Sequence, residues 1–165
     1  MSIQSMLSIG AMIIFSLTSL TFNSTVLQNT NLELENKVYL TAFSLADDLI
    51  EEIKQKAFDE ETIVFRSINP DELTPYSYFG PDSGETSSIY FDDIDDYNNY
   101  SKEISVPHVE GYRVTCKIYY GNKDYPDQNS LTQTFFKRVE ITVESDYFSY
   151  PVKLYHVFTL HSKGK

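Results

Sequence analysis

The first 32 residues, MSIQSMLSIGAMIIFSLTSLTFNSTVLQNTNL, contain no Asp, Glu, Lys or Arg, and charge then begins abruptly with Glu33, Glu35 and Lys37. Pro70 is the first proline, and Gly10 is the only glycine before Gly80, so no residue in that stretch forces a break in a helix running from Met1 to about Phe58. At about 1.5 Å per residue such a helix is roughly 80 Å long, more than a small globular head needs. Its uncharged half must therefore be covered by something other than its own chain.

The charged half has a different character. Apolar residues recur at Val38, Ala42, Leu45, Leu49, Ile53 and Ala57, flanked by Phe43, Ala46 and Ile50, which is the spacing of one helix face. Asp47, Asp48, Glu51, Glu52, Lys54 and Lys56 fill the opposite side, and a run of this kind reads first as a solvated face. Three segments are thus expected: an apolar helix half over 1–32, an amphipathic half over 33–58 that packs on the head, and a globular head over 59–165.

The apolar run has the length of a membrane span but is diluted by Ser8, Ser16, Thr18, Ser19, Thr21, Asn23, Ser24 and Thr25. Hydroxyls in apolar helices bond back to the carbonyl one turn earlier, and small side chains let helices approach closely, so the composition suits a helix bundle better than lipid. A cleaved secretory signal is not expected, because Lys37 is the first basic residue and no convincing cleavage site ends the run. The positive-inside rule cannot orient a segment without basic flanks.

The head reads as β-rich. Thirteen Tyr and eleven Phe, with no Trp, suit pleated, half-buried surfaces. Strand alternation is clear in Tyr112–Tyr120, Phe136–Glu144 and Val152–Leu160, and short β-like runs are read at Thr62–Ser67 and Ser88–Phe91. The connections GNKDYPDQNS and SDYFSYP are short enough for antiparallel neighbours, which makes a meander the economical topology. The expected fold is α+β, with one long N-terminal helix, its apolar half projecting and its amphipathic half packed, against an antiparallel sheet of about four strands.

Few residues carry a signature of chemistry. The formal net charge is −11, which argues against nucleic acid as a partner, since phosphate binding rests on clustered Lys and Arg. His108, His156 and His161 have no metal-ligand spacing, and neither a Gly-x-Ser-x-Gly motif nor a Gly-rich phosphate loop is present. His156 reads as an inward strand residue, and Cys116, the only cysteine, as a small buried hydrophobe. Asp92, Asp93, Asp95 and Asp96 are weak Ca²⁺ candidates, because oxygen ligands at near-alternate positions suit that ion. The EF-hand glycine and closing Glu are missing, and a solvated acidic turn is the simpler reading. The many tyrosines offer a sugar-binding or electron-hopping surface, but strand packing and subunit contacts are the more common reason for such side chains. Neither an enzyme nor a cofactor is expected.

Several segments, in order, carry a resemblance: Ala46-Asp-Asp-Leu-Ile-Glu-Glu-Ile into Ala57-Phe-Asp, Phe91-Asp-Asp-Ile-Asp-Asp-Tyr, Gly111-Tyr-Arg-Val, Lys137-Arg-Val-Glu-Ile-Thr-Val and Pro151-Val-Lys-Leu. With the helix before them, they resemble type IV pilin-like proteins, most closely the minor pseudopilins of type II secretion and the minor pilins of the mannose-sensitive haemagglutinin type. Ser5 stands where that family's mature subunits carry Glu at the fifth position, and no basic leader precedes it. The resemblance implies a subunit held in the inner membrane before assembly, then extracted by pilus or secretion machinery into an extracellular, homo-oligomeric helical filament at the cell surface. The filament core would be built from Met6, Leu7, Ile9, Gly10, Met12, Ile13, Ile14, Phe15, Leu17, Leu20, Phe22, Val26 and Leu27. Two alternatives stay open: a minor pseudopilin of a secretion system, and a membrane-tethered binding module that does not polymerise.

Overall fold

The computed structural model describes residues 2–64, 69–107, 109–147 and 150–160. Two compact units are distinguished, Met1–Val38 and Tyr39–Lys165. A single helix, α1 (Ile3–Ile53), runs through the first unit and contributes its last turns to the second. The second unit adds a short helix α2 (Glu60–Val64) and strands β1 (Ser101–Val106), β2 (Val109–Gly121), β3 (Asn129–Ser130), β4 (Phe136–Glu144) and β5 (Val152–Thr159).

The α+β expectation is met. The sheet is antiparallel with order β1-β2-β4-β5, and β3 pairs with the end of β2 on the edge opposite β4, the edge that β1 also occupies. Apart from β3 and β4, which flank β2 on opposite edges, sequential strands are neighbours, as the short connections require. Cys116 lies opposite Ile141 and Ile118 opposite Val139, and β4 continues the register with Ile141 opposite Leu154. Alternation along β2 buries Tyr112, Val114, Cys116, Ile118 and Tyr120, and β4 adds Val139, Ile141 and Val143. Ala42, Ala46, Leu49, Ile50 and Ile53 close this core from the helix, so most of the expected amphipathic stripe is buried, while Phe43 remains half exposed. His156 is half-buried in β5, and Cys116 is buried with its thiol pushed up by desolvation, next by the Glu140 carboxylate.

Four expectations need correction. The helix stops at Ile53 rather than near Phe58, because Ala57 leaves it to donate its N–H to Asp92 O at 2.9 Å and accept from Ile94 N at 3.0 Å. The last turn tightens on the way, with Lys56 N reaching back to Ile53 O. Residues 60–64 are helical, not extended: Asp59 Oδ1 accepts the Glu61 N–H at 3.3 Å and Thr62 N donates to Asp59 O, an N-cap arrangement that outweighs the β-branched run. The rest of that run, 65–67, lies outside the described residues. Residues 88–90 form a turn, with Tyr90 N bonded to Ser87 O. The first strand is instead β1, a mostly exposed edge whose apolar content, Ile104 and Val106, is too thin to announce it.

Gly121 sits where β2 meets the following turn. A Cβ there would lie 2.7 Å from Pro126 O and 3.0 Å from Phe136 Cβ, and the former is backbone that cannot swing away. Gly121→Ala is therefore expected to destabilise the fold by about 1–3 kcal/mol. Chemical denaturation of the full chain in detergent checks this, and an unchanged midpoint would contradict the close approach.

Candidate functional site

Two features of the described residues stand apart from ordinary packing, one in each unit. The first is the surface of α1 before Val38. Met6, Leu7, Ile9, Met12, Ile13, Ile14, Phe15, Leu17, Leu20, Phe22, Val26 and Leu27 are all exposed, with Phe15 at 75%. At 100° per residue these positions cover every side of the helix, a pattern found where a helix is surrounded by protein or lipid. The helix is long and apolar enough to cross a membrane. Gly10 has nothing within 4 Å of a built Cβ, so a partner could approach the backbone there.

Five hydroxyls of this segment bond back to their own helix. Ser8 Oγ donates to Gln4 O at 3.0 Å, Thr18 Oγ1 to Ile14 O at 3.0 Å, Thr21 Oγ1 to Leu17 O at 3.1 Å, Thr25 Oγ1 to Thr21 O at 2.9 Å and Thr30 Oγ1 to Val26 O at 3.0 Å. The back-bonding read from the sequence is present at Ser8, Thr18, Thr21 and Thr25, and it hides the polarity of those four positions in the run.

The second feature lies inside the head. Lys137 points from β4 into the core and is 0% exposed, in the row that also holds Val139, Ile141 and Val143. Its ammonium donates to Phe58 O at 2.6 Å and to Asp59 Oδ2 at 2.7 Å, and lies 2.5 Å from Asp95 Oδ1. The rings of Phe58, Phe79 and Tyr120 surround it with centroids at 4.7, 5.1 and 5.7 Å. An unpaired ammonium would not be tolerated there, and the two carboxylates and three rings offset its desolvation.

The two carboxylates are treated unequally. Asp59 accepts from Thr74 N at 3.1 Å, Thr74 Oγ1 at 3.0 Å, Glu61 N at 3.3 Å and the Tyr120 hydroxyl at 3.4 Å in addition to Lys137. Asp95 is equally buried, yet among the described residues neither of its oxygens receives an aligned hydrogen bond; Lys137 is close to Oδ1 but poorly directed. Burial accordingly pushes the Asp95 carboxyl up to about 8 despite the Lys137 charge. Burial likewise raises Asp93 to about 6, and Asp96 is raised by burial and then by Asp93.

The Asp92–Tyr100 passage is a folded turn rather than a solvated one. Asp96 Oδ2 accepts from Asp92 N and Asp93 N at 3.1 and 3.2 Å, and Asp93 Oδ1 accepts from Asp96 N at 3.2 Å. Tyr97, fully buried, donates to Glu52 Oε1 at 2.8 Å and packs edge-on against Phe91. The four Ca²⁺ candidates are thus divided: Asp95 faces Lys137 and Asp93 is committed to the turn, while Asp92 and Asp96 come within 4.8 Å of Glu85. Sequence reading missed Lys137, because a lysine at the end of a strand looks like an exposed flank. Its alternation with Val139 and Ile141 was the available signal.

Tyr97, Tyr112 and Tyr120 are buried, whereas Tyr78, Tyr90, Tyr125, Tyr147, Tyr150 and Tyr155 are exposed. His108 and His161 lie outside the described residues. No family model matches the chain, and no curated protein or solved structure resembles it significantly.

The Asp93 value fixes a sign. Between 3.8 and about 6 the folded chain holds a proton that the unfolded chain has released, so this residue's contribution to stability declines as pH rises through that window. Asp93→Asn keeps an acceptor for Asp96 N and does not ionise. The stability of that variant relative to the parent should therefore rise across the window and level off above it, as followed by thermal melting. A pH-independent difference would contradict the raised value.

Proposed function

We propose that this chain is a structural, non-catalytic subunit of an extracellular type IV pilus-like filament, polymerising through the uncharged part of α1 and residing in the inner membrane before assembly. The observation that carries the reading is a helix segment apolar on all sides with its large side chains exposed. Burying about 1,000 Å² of such surface per subunit would favour assembly by ~25 kcal/mol before ordering costs. A head-to-tail contact repeated without closing produces a helical polymer, and assembly machinery would supply the extraction from lipid. The segment order quoted for the family resemblance adds support, and since no acidic residue occurs before Glu33, packing around Gly10 and the Ser and Thr residues would set the register.

A minor pseudopilin present in few copies is the same reading at lower abundance. The length and apolarity of α1 also favour a second reading, a head tethered to a membrane that never polymerises. Placing a charge mid-segment separates them. Ile13→Asp is expected to reduce filaments in sheared surface material below detection while leaving the head's melting temperature unchanged. Intact filaments from this variant would overturn the proposal, and a parent chain found solely in membranes would favour the tether.

A further inference from the structure

The arrangement of Lys137, Asp95 and Asp59 has the parts of a condensation reaction as well as those of an ion triad. Two reactive groups, an amine and a carboxyl, are held together where neither meets solvent: Lys137 is 0% and Asp95 3% exposed. Nζ is 2.5 Å from Asp95 Oδ1, which puts the carboxyl carbon at about the near-attack separation of 3–3.5 Å. The residues come from separate parts of the chain, the turn before β1 and strand β4, so the fold itself pre-orders them. Effective concentrations of about 10⁵–10⁸ M are typical of such pre-ordered pairs.

The unequal treatment of the two carboxyls assigns their roles. Asp59, with protein donors on both oxygens, touches the same Nζ at 2.7 Å, where a base must be. Asp95, without an aligned donor, is disfavoured as an anion and kept in the acid form that can lose its hydroxyl. Phe58, Phe79 and Tyr120 wall the three groups with aromatic surface, which favours a step that expels water.

We propose that Lys137 and Asp95 join in an intramolecular amide bond, formed after folding with Asp59 as the base. One ammonium proton passes to Asp59, and the freed Nζ electron pair adds to Asp95 Cγ. The Cγ–hydroxyl bond then breaks, and the hydroxyl departs with a second Nζ proton as water. An ammonium, a carboxylate and a carboxylic acid become an amide, a carboxylic acid and water, so charge and atoms balance without oxidant or cofactor. The bond turns the chain between residues 95 and 137 into a closed loop and leaves no ion in that part of the core. It does not depend on the chain's polymerising.

Mass spectrometry of the full chain, extracted in detergent, tests this directly. The amide blocks trypsin after Lys137, so the digest should contain a branched peptide uniting 67–102 with 124–138, lighter by one water than its two parts. Asp59→Asn and Lys137→Met should each abolish it. Asp95→Asn should yield the same branched mass as the parent, by loss of ammonia instead of water. A parent digest in which 67–102 is found unbranched and Lys137 is cleaved normally would overturn the proposal, leaving a permanent ion triad; because this uses the unaltered chain, a variant that fails to fold cannot obscure the result.

Discussion

A positive charge that cannot reach water governs the arrangement of the head. Lys137 enters the core from β4, and each of its partners is drawn from a different part of the chain: Phe58 and Asp59 from the segment leaving α1, Asp95 from the turn before β1, Phe79 from the long connection, Tyr120 from β2. The irregular segment between α1 and the sheet is therefore held by a specific polar centre in addition to apolar contact. Buried ions of this type often contribute little net stability compared with a hydrophobic replacement, but removing one partner is costly because the other is left uncompensated. Such a centre specifies one arrangement of its segments and penalises the alternatives.

Asp59 shows how closely local and long-range order are joined there. The same carboxylate caps α2 through Glu61 N, receives the Thr74 N–H and hydroxyl, and pairs with Lys137. The departure of the chain from α1 is fixed just before it, where Ala57 bonds to the Asp92–Ile94 backbone and Lys56 Nζ reaches Phe91 O at 2.6 Å. The end of the helix is thus set by the acidic turn some distance away in sequence, and not by a local breaking residue.

This explains what could be read from the residues alone. Period-two alternation made β2, β4 and β5 legible, and the Ala42–Ile53 stripe made the packed helix face legible, because in both cases one side of a regular element meets the core. β1 was not legible, since an exposed edge strand has little apolar pattern to show. The β-branched content of the Thr62–Ser67 run points to a strand, but the capping aspartate before it makes residues 60–64 helical. The charged residues at Asp93, Asp95 and Lys137 were hardest to place, because composition puts such residues at the surface and only their distant partners make burial tolerable.

The back-bonded hydroxyls of α1 have a further consequence. A threonine whose proton is already given to the carbonyl one turn behind it asks little of its surroundings, so the helix surface offers methyl groups where the sequence shows alcohols. Moving such a surface from one apolar medium to another changes its hydrogen-bond inventory hardly at all. These positions are in this sense indifferent to which dry environment receives them, and at them the exchange between two such environments is decided by shape and by side-chain interlocking.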